Sequence, residues 1–145
     1  MIPADRLPDQ IELLSAASAK VVRKPWGEER WLVHGPAPFV MKLIHVRAGQ
    51  RTSLQFHREK QEANLVLSGR ARLHYRRDEG EAVDSCEVGP GSVVYVGPGG
   101  VHRIEAVADL TMLEVSTPQV DDVVRVHDDW ARADGRIDRE HDGEP

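Results

Sequence analysis

Four side chains able to hold a metal ion fall into two short segments of the sequence. In GQRTSLQFHREKQEANLVLSG, Gln55 and His57 are two residues apart, and Glu62 follows five residues later. Residues two apart on a strand share a face, so Gln55 and His57 can point into one cavity. In GSVVYVGPGGVHRIEA, His102 follows a turn rich in Gly and Pro. Imidazole and carboxylate ligands together predict one divalent metal ion, either Zn, Mn, Fe, Co or Ni.

Charged residues near these segments are candidates for binding a substrate or moving a proton. Arg51 lies four residues before Gln55 and shares its face by period-two counting, and its guanidinium suits phosphate or carboxylate oxygens. Arg103 directly follows His102, so its side chain is expected to point to the opposite face of the strand. The candidates for a proton-transfer base are Glu59, His45 and Glu105.

The elements that must position these residues are predicted to be short strands. From Val21 onward, runs of apolar residues are cut by Gly, Pro and Asp, which is typical of an all-β sandwich or barrel. Ala71, Leu73 and Tyr75 alternate with polar residues, as a half-buried strand requires. The predicted strands are Arg30–His34, Phe39–Val46, Ala63–Leu67, Ala71–Arg76, Ser92–Val96, Arg103–Val107 and Thr111–Ser116.

The two ends of the chain differ from this pattern. Apolar residues spaced between Asp9 and Ala19 predict one short amphipathic helix packed outside the main fold. The last residues are dominated by charge and Gly, so we expect fraying or disorder there. The expected organisation is an extension over 1–20, a barrel over 21–128 and a charged tail over 129–145.

Length and composition exclude several classes of function. The 145 residues suit one domain, and a net charge of −5 with no basic run argues against nucleic acid as a partner. No apolar stretch approaches the roughly 20 residues of a membrane-spanning helix, and the first residues lack the order of a secretory signal. Cys86 has no second cysteine to pair with. We therefore expect a cytoplasmic protein that does not enter a membrane.

The two segments resemble the two motifs of the cupin superfamily, G-x5-H-x-H-x4-E-x6-G and G-x5-P-x-G-x2-H-x3-N. The match departs from these motifs at Gln55, Gly97 and Ala106, which replace a His, a Pro and an Asn. The resemblance implies a small jelly-roll β-barrel of two antiparallel sheets. It also implies a homodimer, because cupin barrels often pair through sheet edges and exchanged N-terminal strands.

The chain is similar in particular to the C-terminal cupin domain of type II mannose-6-phosphate isomerases. Lys24-Pro25-Trp26-Gly27 looks like that family's RPWG, Ser53-Leu54-Gln55-Phe56-His57 looks like SLQ-x-H, and Asp121-Asp122-Val123-Val124-Arg125 also matches. This resemblance implies that Gln55 is a fourth ligand and that Lys24 lies at the pocket rim. After His57 the family's histidine-rich run is replaced, and only the positive charge of Lys60 is kept, as a further candidate for substrate binding.

Three functions follow as hypotheses. The resemblance implies an isomerase acting on a small polar substrate of the sugar-phosphate type, in which the metal stabilises an enediolate and a base moves the proton. Two histidines and one carboxylate are also the ligand set of Fe(II)-dependent dioxygenases. The third alternative is a non-catalytic cupin that binds a sugar or another metabolite, since a fold does not fix a function.

Overall fold

A computed structural model of the protein describes residues 6–78, 80–127, 129 and 135–137. These residues form twelve β-strands, and Ala16–Ser18 form a 3-10 turn. The strands are β1 Lys20–Lys24, β2 Gly27–Val33, β3 Val40–Val46, β4 Leu54–Phe56, β5 Glu62–Ser68, β6 Ala71–Arg76, β7 Val83–Val88, β8 Val93–Val96, β9 His102–Ala106, β10 Leu110–Ser116, β11 Val123–His127 and β12 Gly135–Ile137. No helix among the described residues has the length and apolar character needed to span a membrane.

The strands form two six-stranded sheets that enclose the interior. Sheet A has the strand order β1-β2-β3-β10-β5-β8, and sheet B has the order β12-β11-β4-β9-β6-β7. Each neighbouring pair is antiparallel. The all-β barrel of two antiparallel sheets predicted from the sequence is therefore confirmed.

The interior changes from apolar to charged along the strands of sheet A. On β10, Leu110 and Met112 pair with Val46 and Ile44 of β3, and these side chains belong to the apolar core. The next inward pair along the same strands is Glu114 and Lys42, and both are buried. The apolar core also includes Trp26, Val66, Ala71, Ile104 and Ala106. Its packing fixes the strands, and the neighbouring charged layer forms the wall of a cavity.

The N-terminal helix predicted over Asp9–Ala19 is wrong, because its only helical residues are Ala16–Ser18. Ile11, Leu13 and Leu14 are each more than half exposed, at 57%, 55% and 52%, so the described part of the chain covers less than half of this apolar stripe. A helix of this length is marginal in water without such packing.

Five strands lie outside the predicted set: β1, β4, β7, β11 and β12. β4 has only three residues, and β7 exposes nearly all of its side chains, so neither shows an apolar alternation in the sequence. Most of the tail predicted over 129–145 lies outside the described residues. Within it, Asp129 is described and β12 pairs with β11.

A tight turn joins β5 to β6 at Gly69. Its φ of +91° lies in the left-handed region, and a Cβ there would meet the carbonyl oxygen of Asp109 at 2.1 Å. The turn therefore needs glycine both for its conformation and for the close approach of the loop before β10.

We predict that Gly69→Ala lowers the free energy of unfolding by about 3 kcal/mol or more, because it adds a backbone clash to the strain of a left-handed alanine. Gly35→Ala is the matched control, since Gly35 has a φ of +80° but a Cβ added there would meet no atom within 4 Å. We expect it to cost about 1–2 kcal/mol, from conformation alone. Urea unfolding of both variants measures the difference, and equal losses would contradict the assigned contact.

Candidate metal centre

The two sheets bring the side chains of His57, Glu62 and His102 together inside the barrel. His57 follows β4 and His102 begins β9 in sheet B, while Glu62 begins β5 in sheet A. Each offers a ligand atom, and these atoms lie within 4.8 Å of one another. Oε1 of Glu62 is 3.1 Å from Nε2 of His102 and 3.6 Å from Nε2 of His57. All three side chains are buried.

Backbone carbonyls set the orientation of both histidine rings. Nδ1 of His57 lies 2.6 Å from the carbonyl oxygen of Asp122, and Nδ1 of His102 lies 2.9 Å from that of Gly100. A carbonyl oxygen can only accept a hydrogen bond, so Nδ1 of each ring carries a proton. A metal in the cavity would then be bound through Nε2 of each ring, which is how metal-binding histidines are commonly held.

These residues fit a divalent metal ion. Nε2 of His57 is buried and has no hydrogen-bond partner among the described residues, and a buried polar atom without a partner is unfavourable. Two imidazole nitrogens and one carboxylate oxygen form a donor set that several divalent metals accept. Burial lowers the pKa of His102, but the hydrogen bond to Glu62, the charge of Glu62 and the bond to the carbonyl of Gly100 together outweigh burial and raise the pKa.

Gln55 lies beside this group and lines the same cavity. It is the residue of β4 paired directly with His102 of β9. Its Oε1 accepts a hydrogen bond from the hydroxyl of Ser53 at 2.8 Å. The amide is therefore held beside the histidines with an oxygen available as a metal ligand, as the family resemblance implies.

A chain of buried charges continues from Glu62 across the inner wall of sheet A. Nζ of Lys60 lies 3.1 Å from Glu62 and 3.8 Å from Glu114, and Nζ of Lys42 lies 3.8 Å from Glu114 and 3.3 Å from Glu29. Burial raises the pKa of Glu114 to about 7, while the two ammonium groups oppose this. Burial likewise disfavours the charged form of Glu62, but Lys60 and the histidines hold its pKa well below the ordinary value.

Lys42, Glu114 and Glu29 were not among the residues singled out from the sequence. Their signal was present in the strand periodicity, because Lys42 occupies the same phase as the buried Val40, Ile44 and Val46. A charged residue in the apolar phase of a strand must find partners inside the fold. Glu114 follows the same rule on β10.

Asp122 fixes the loop that carries His57. Its carboxylate accepts backbone hydrogen bonds from Arg58, Glu59 and Lys60 at 3.0, 2.6 and 2.9 Å, and its carbonyl meets His57. Burial raises the pKa of Asp122, but these three N–H donors outweigh it and lower the pKa below its ordinary range. Asp122 belongs to the third segment that matches the family.

The cavity at this centre measures about 70 Å³. Lys24 and Lys60, two of the predicted substrate-binding residues, line it together with the candidate metal ligands. A space of this size holds a few water molecules or the end of a small polar molecule. The remaining lining residues are Trp26, Glu29, Lys42, Ile44, Thr52, Ser53, Asn64, Leu73, Val94, Val96, Ile104, Met112, Glu114 and Val123.

The structure places the other predicted site residues away from this cavity. His45 is exposed on the outer face of sheet A, where its Nδ1 lies 2.9 Å from the hydroxyl of Thr111. Glu59 is exposed in the loop after His57 and lines a shallow groove with Arg58. Neither of these two candidate bases lines the cavity, and a role for them in proton transfer stays a prediction.

Arg51, the predicted anion ligand, pairs instead with Asp129, with Nη2 at 3.1 Å from its carboxylate. Glu105 bonds to His74 at 2.9 Å. Arg103 bonds to the carbonyl oxygen of Thr52 at 2.9 Å and, as predicted, lies on the opposite face from the inward His102. None of the three arginine and glutamate side chains lines the cavity.

The two sheets and the enclosed cavity define the chain as a cupin-type β-barrel. Residues 13–128 match the family model described as mannose-6-phosphate isomerase C-terminal. The chain therefore belongs to that family, and the resemblance seen in its motifs is confirmed. A comparison with curated proteins finds no match.

Solved structures with the same fold include three from bacteria. CapF of Staphylococcus aureus, a capsular polysaccharide assembling protein, has a TM-score of 0.66 at 18% identity, covering 83% of this chain and 33% of CapF. Oxalate decarboxylase of Bacillus subtilis has a TM-score of 0.66 at 19% identity, covering 77% and 31%. KdgF of a Halomonas species has a TM-score of 0.63 at 16% identity, covering 77% and 96%.

The chain thus spans about a third of the first two proteins and nearly all of KdgF. At these identities the likeness shows the fold. The Bacillus subtilis oxalate decarboxylase contains Mn(II) centres.

We predict that Asp122→Asn destabilises the metal-free protein by about 1–3 kcal/mol, because an amide NH₂ would face N–H donors that the carboxylate now satisfies. The native pKa of Asp122 is lowered, so its contribution is present above the ordinary aspartate range and is lost as the pH falls through the native pKa. The difference from wild type should therefore shrink in acid.

Urea unfolding at pH 7 and at lower pH measures this dependence. Asp78→Asn is the control, because Asp78 is exposed at the β6–β7 turn and its carboxylate has no hydrogen-bond partner within the described part of the chain. A loss for Asp122→Asn that does not change with pH would contradict the role of the carboxylate.

Proposed function

We propose that this chain binds one divalent metal ion through His57, Glu62 and His102, with Gln55 as a fourth ligand. The observation that carries the proposal is the convergence of three buried ligand atoms on one point, with Nε2 of His57 lacking any other described partner. The backbone bonds to Nδ1 of both histidines support it, since they aim the other ring nitrogen at Glu62.

We further propose that the metal-loaded protein is an isomerase of the mannose-6-phosphate isomerase type, acting on a small sugar phosphate. Family membership supports this assignment. When bound, the metal would supply Lewis-acid polarisation of a substrate carbonyl and its neighbouring hydroxyl.

The chain's own residues would hold the reacting end of that substrate. Lys24 and Lys60 both line the cavity, together with Lys42 and the carboxylates of Glu29, Glu62 and Glu114, and we assign the two lysines as hydrogen-bond donors to substrate oxygens. Nζ of Lys60 would donate to a substrate oxygen that gains negative charge. Because the cavity is only about 70 Å³, it admits the carbonyl carbon and its neighbour, and the phosphate would stay at the mouth.

Two other functions retain specific support. Two histidines and one carboxylate are the ligands of non-haem Fe(II) oxygenases, which need no base for isomerisation. A non-catalytic module that binds a sugar or metabolite is favoured by the positions of His45 and Glu59, because neither predicted base lines the cavity.

We predict that the wild-type protein binds about one equivalent of Mn, Co or Zn and melts at a higher temperature when loaded, because the ion binds only the folded ligand set. His57→Ala should weaken binding by more than about 100-fold, since even residues that only orient a ligand contribute 10- to 100-fold. Isothermal titration calorimetry measures both.

His45→Ala is the matched control, because His45 is an exposed histidine outside the cavity. It should bind metal as wild type does. Gln55→Ala should keep one metal site of reduced affinity, with a smaller loss than His57→Ala. Equal metal binding by wild type and His57→Ala would contradict the proposed metal site.

We predict that the Mn, Co, Zn or Fe(II) form turns over a hexose 6-phosphate. A coupled assay that detects the ketose or aldose product measures this turnover. Lys60→Met should lower kcat by at least about tenfold, because a cation facing the developing charge is lost. Dioxygen consumption by the Fe(II) form with a metabolite set would favour the oxygenase instead. Saturable sugar-phosphate binding without turnover in any metal form would favour the binding module.

A further inference from the structure

A groove of about 330 Å³ lies on the side of sheet B that faces away from the candidate metal centre. Its walls come from β4, from the end of β6, from the turn before β9 and from β11. The lining residues include Phe56, Arg76, Arg77, Asp78, Val101 and Val126. None of these residues lines the cavity at the metal centre. The groove is therefore a separate space, and its volume falls within the roughly 300–1,000 Å³ of small-molecule sites.

The floor of the groove is apolar. Gln55 and His102 line the inner cavity, and successive side chains of a strand point to opposite faces. Their neighbours Phe56 and Val101 therefore point outward, where both line the groove together with Val126 of β11. These three side chains offer one aromatic ring and two branched aliphatic groups to an apolar ligand.

Arg76, at the end of β6, brings an unsatisfied guanidinium to this floor. Its backbone N–H donates to the carbonyl oxygen of Val101 at 3.2 Å, which ties the residue to the groove. Nε of Arg76 is shielded from solvent and has no hydrogen-bond partner within the part of the chain that the structure describes. A shielded donor on a charged group is unfavourable without an acceptor. Arg77 differs, because its Nε lies 3.8 Å from the carboxylate of Asp84.

The charges of the groove favour an anion of low charge. Its described lining carries the guanidinium groups of Arg76 and Arg77 and the carboxylate of Asp78, which leaves one net positive charge. A single carboxylate would neutralise this charge, and its two oxygens match the planar fork of a guanidinium.

We propose that this groove binds a small organic carboxylate with an apolar body. The carboxylate supplies the acceptor that Arg76 lacks, and the body packs on Phe56, Val101 and Val126. The proposal does not depend on the proposed metal chemistry, because the groove shares no lining residue with the inner cavity.

Isothermal titration calorimetry of the full chain with 1-naphthoate tests the proposal, because this probe joins one carboxylate to a flat apolar body. We expect saturable binding of about one equivalent. 1-Naphthylmethanol, which lacks the charge, and acetate, which lacks the apolar body, should each bind at least about tenfold more weakly, because each keeps only one half of the interaction.

Arg76→Gln should weaken naphthoate binding at least about tenfold, since a hydrogen bond to a charged group is lost. Arg72→Gln is the matched control. Arg72 lies on the same strand and face and its replacement removes the same charge, but Arg72 pairs with Glu87 and does not line the groove. It should bind naphthoate as wild type does, and so should His57→Ala.

Val126→Glu provides a second variant should Arg76→Gln fail to fold, and circular dichroism checks the folding of each. It places a carboxylate in the groove itself and should abolish naphthoate binding. No saturable binding by wild type overturns the proposal, including a groove already filled by another segment of the chain or by a second copy. Binding that neither groove variant weakens also overturns it, and so does binding that only His57→Ala weakens, which would place the probe in the metal cavity.

Discussion

The structure of this protein depends on keeping one carboxylate, that of Glu62, inside the barrel between two sheets. A buried charge is costly unless it is paired and hydrogen-bonded. Here Lys60 lies on one side of the carboxylate at 3.1 Å and His102 on the other at 3.1 Å. Glu62 therefore stays ionised, and it faces the two imidazole rings with an oxygen that a cation could bind.

This constraint extends along the inner wall of sheet A. Lys60 also approaches Glu114, and Glu114 approaches Lys42, so each buried charge depends on the next. Loss of one partner from such a network leaves an uncompensated charge, which costs more than the pairing itself contributes. An apolar layer that includes Met112 lies beside this network on the same strands. The same strands of sheet A thus carry both the apolar packing of the barrel and the buried charges of the cavity.

The sequence was sufficient to predict the barrel and the three convergent side chains, because ligand spacing and turn glycines occur at fixed positions in a local motif. Lys42 and Glu114 were missed because they are distant in sequence from that motif and are joined to it only by strand pairing. Gln55 could be predicted only through the family resemblance, since an amide is a weak signal on its own. The predicted N-terminal helix is wrong because the described residues leave more than half of its apolar stripe exposed.

The candidate bases His45 and Glu59 lie outside the cavity, and strand alternation alone could not have shown this. Alternation along a strand separates two faces but does not say which face is inside, and His45 lies on the outer one. Arg51 shows a further limit, because its partner Asp129 lies 78 residues away in sequence and reaches it only through the fold. The roles of residues whose partners are distant in sequence can be assigned only from the structure.

The central claim is that His57, Glu62 and His102 hold a metal inside the barrel. The most direct measurement is anomalous X-ray diffraction from crystals of the protein grown with Mn, Co or Zn. We predict a single strong anomalous peak inside the barrel, bonded to Nε2 of both histidines and to the carboxylate of Glu62. A peak only at other residues, or no peak with Glu62 bonded to Lys60 and His102 alone, would contradict the account.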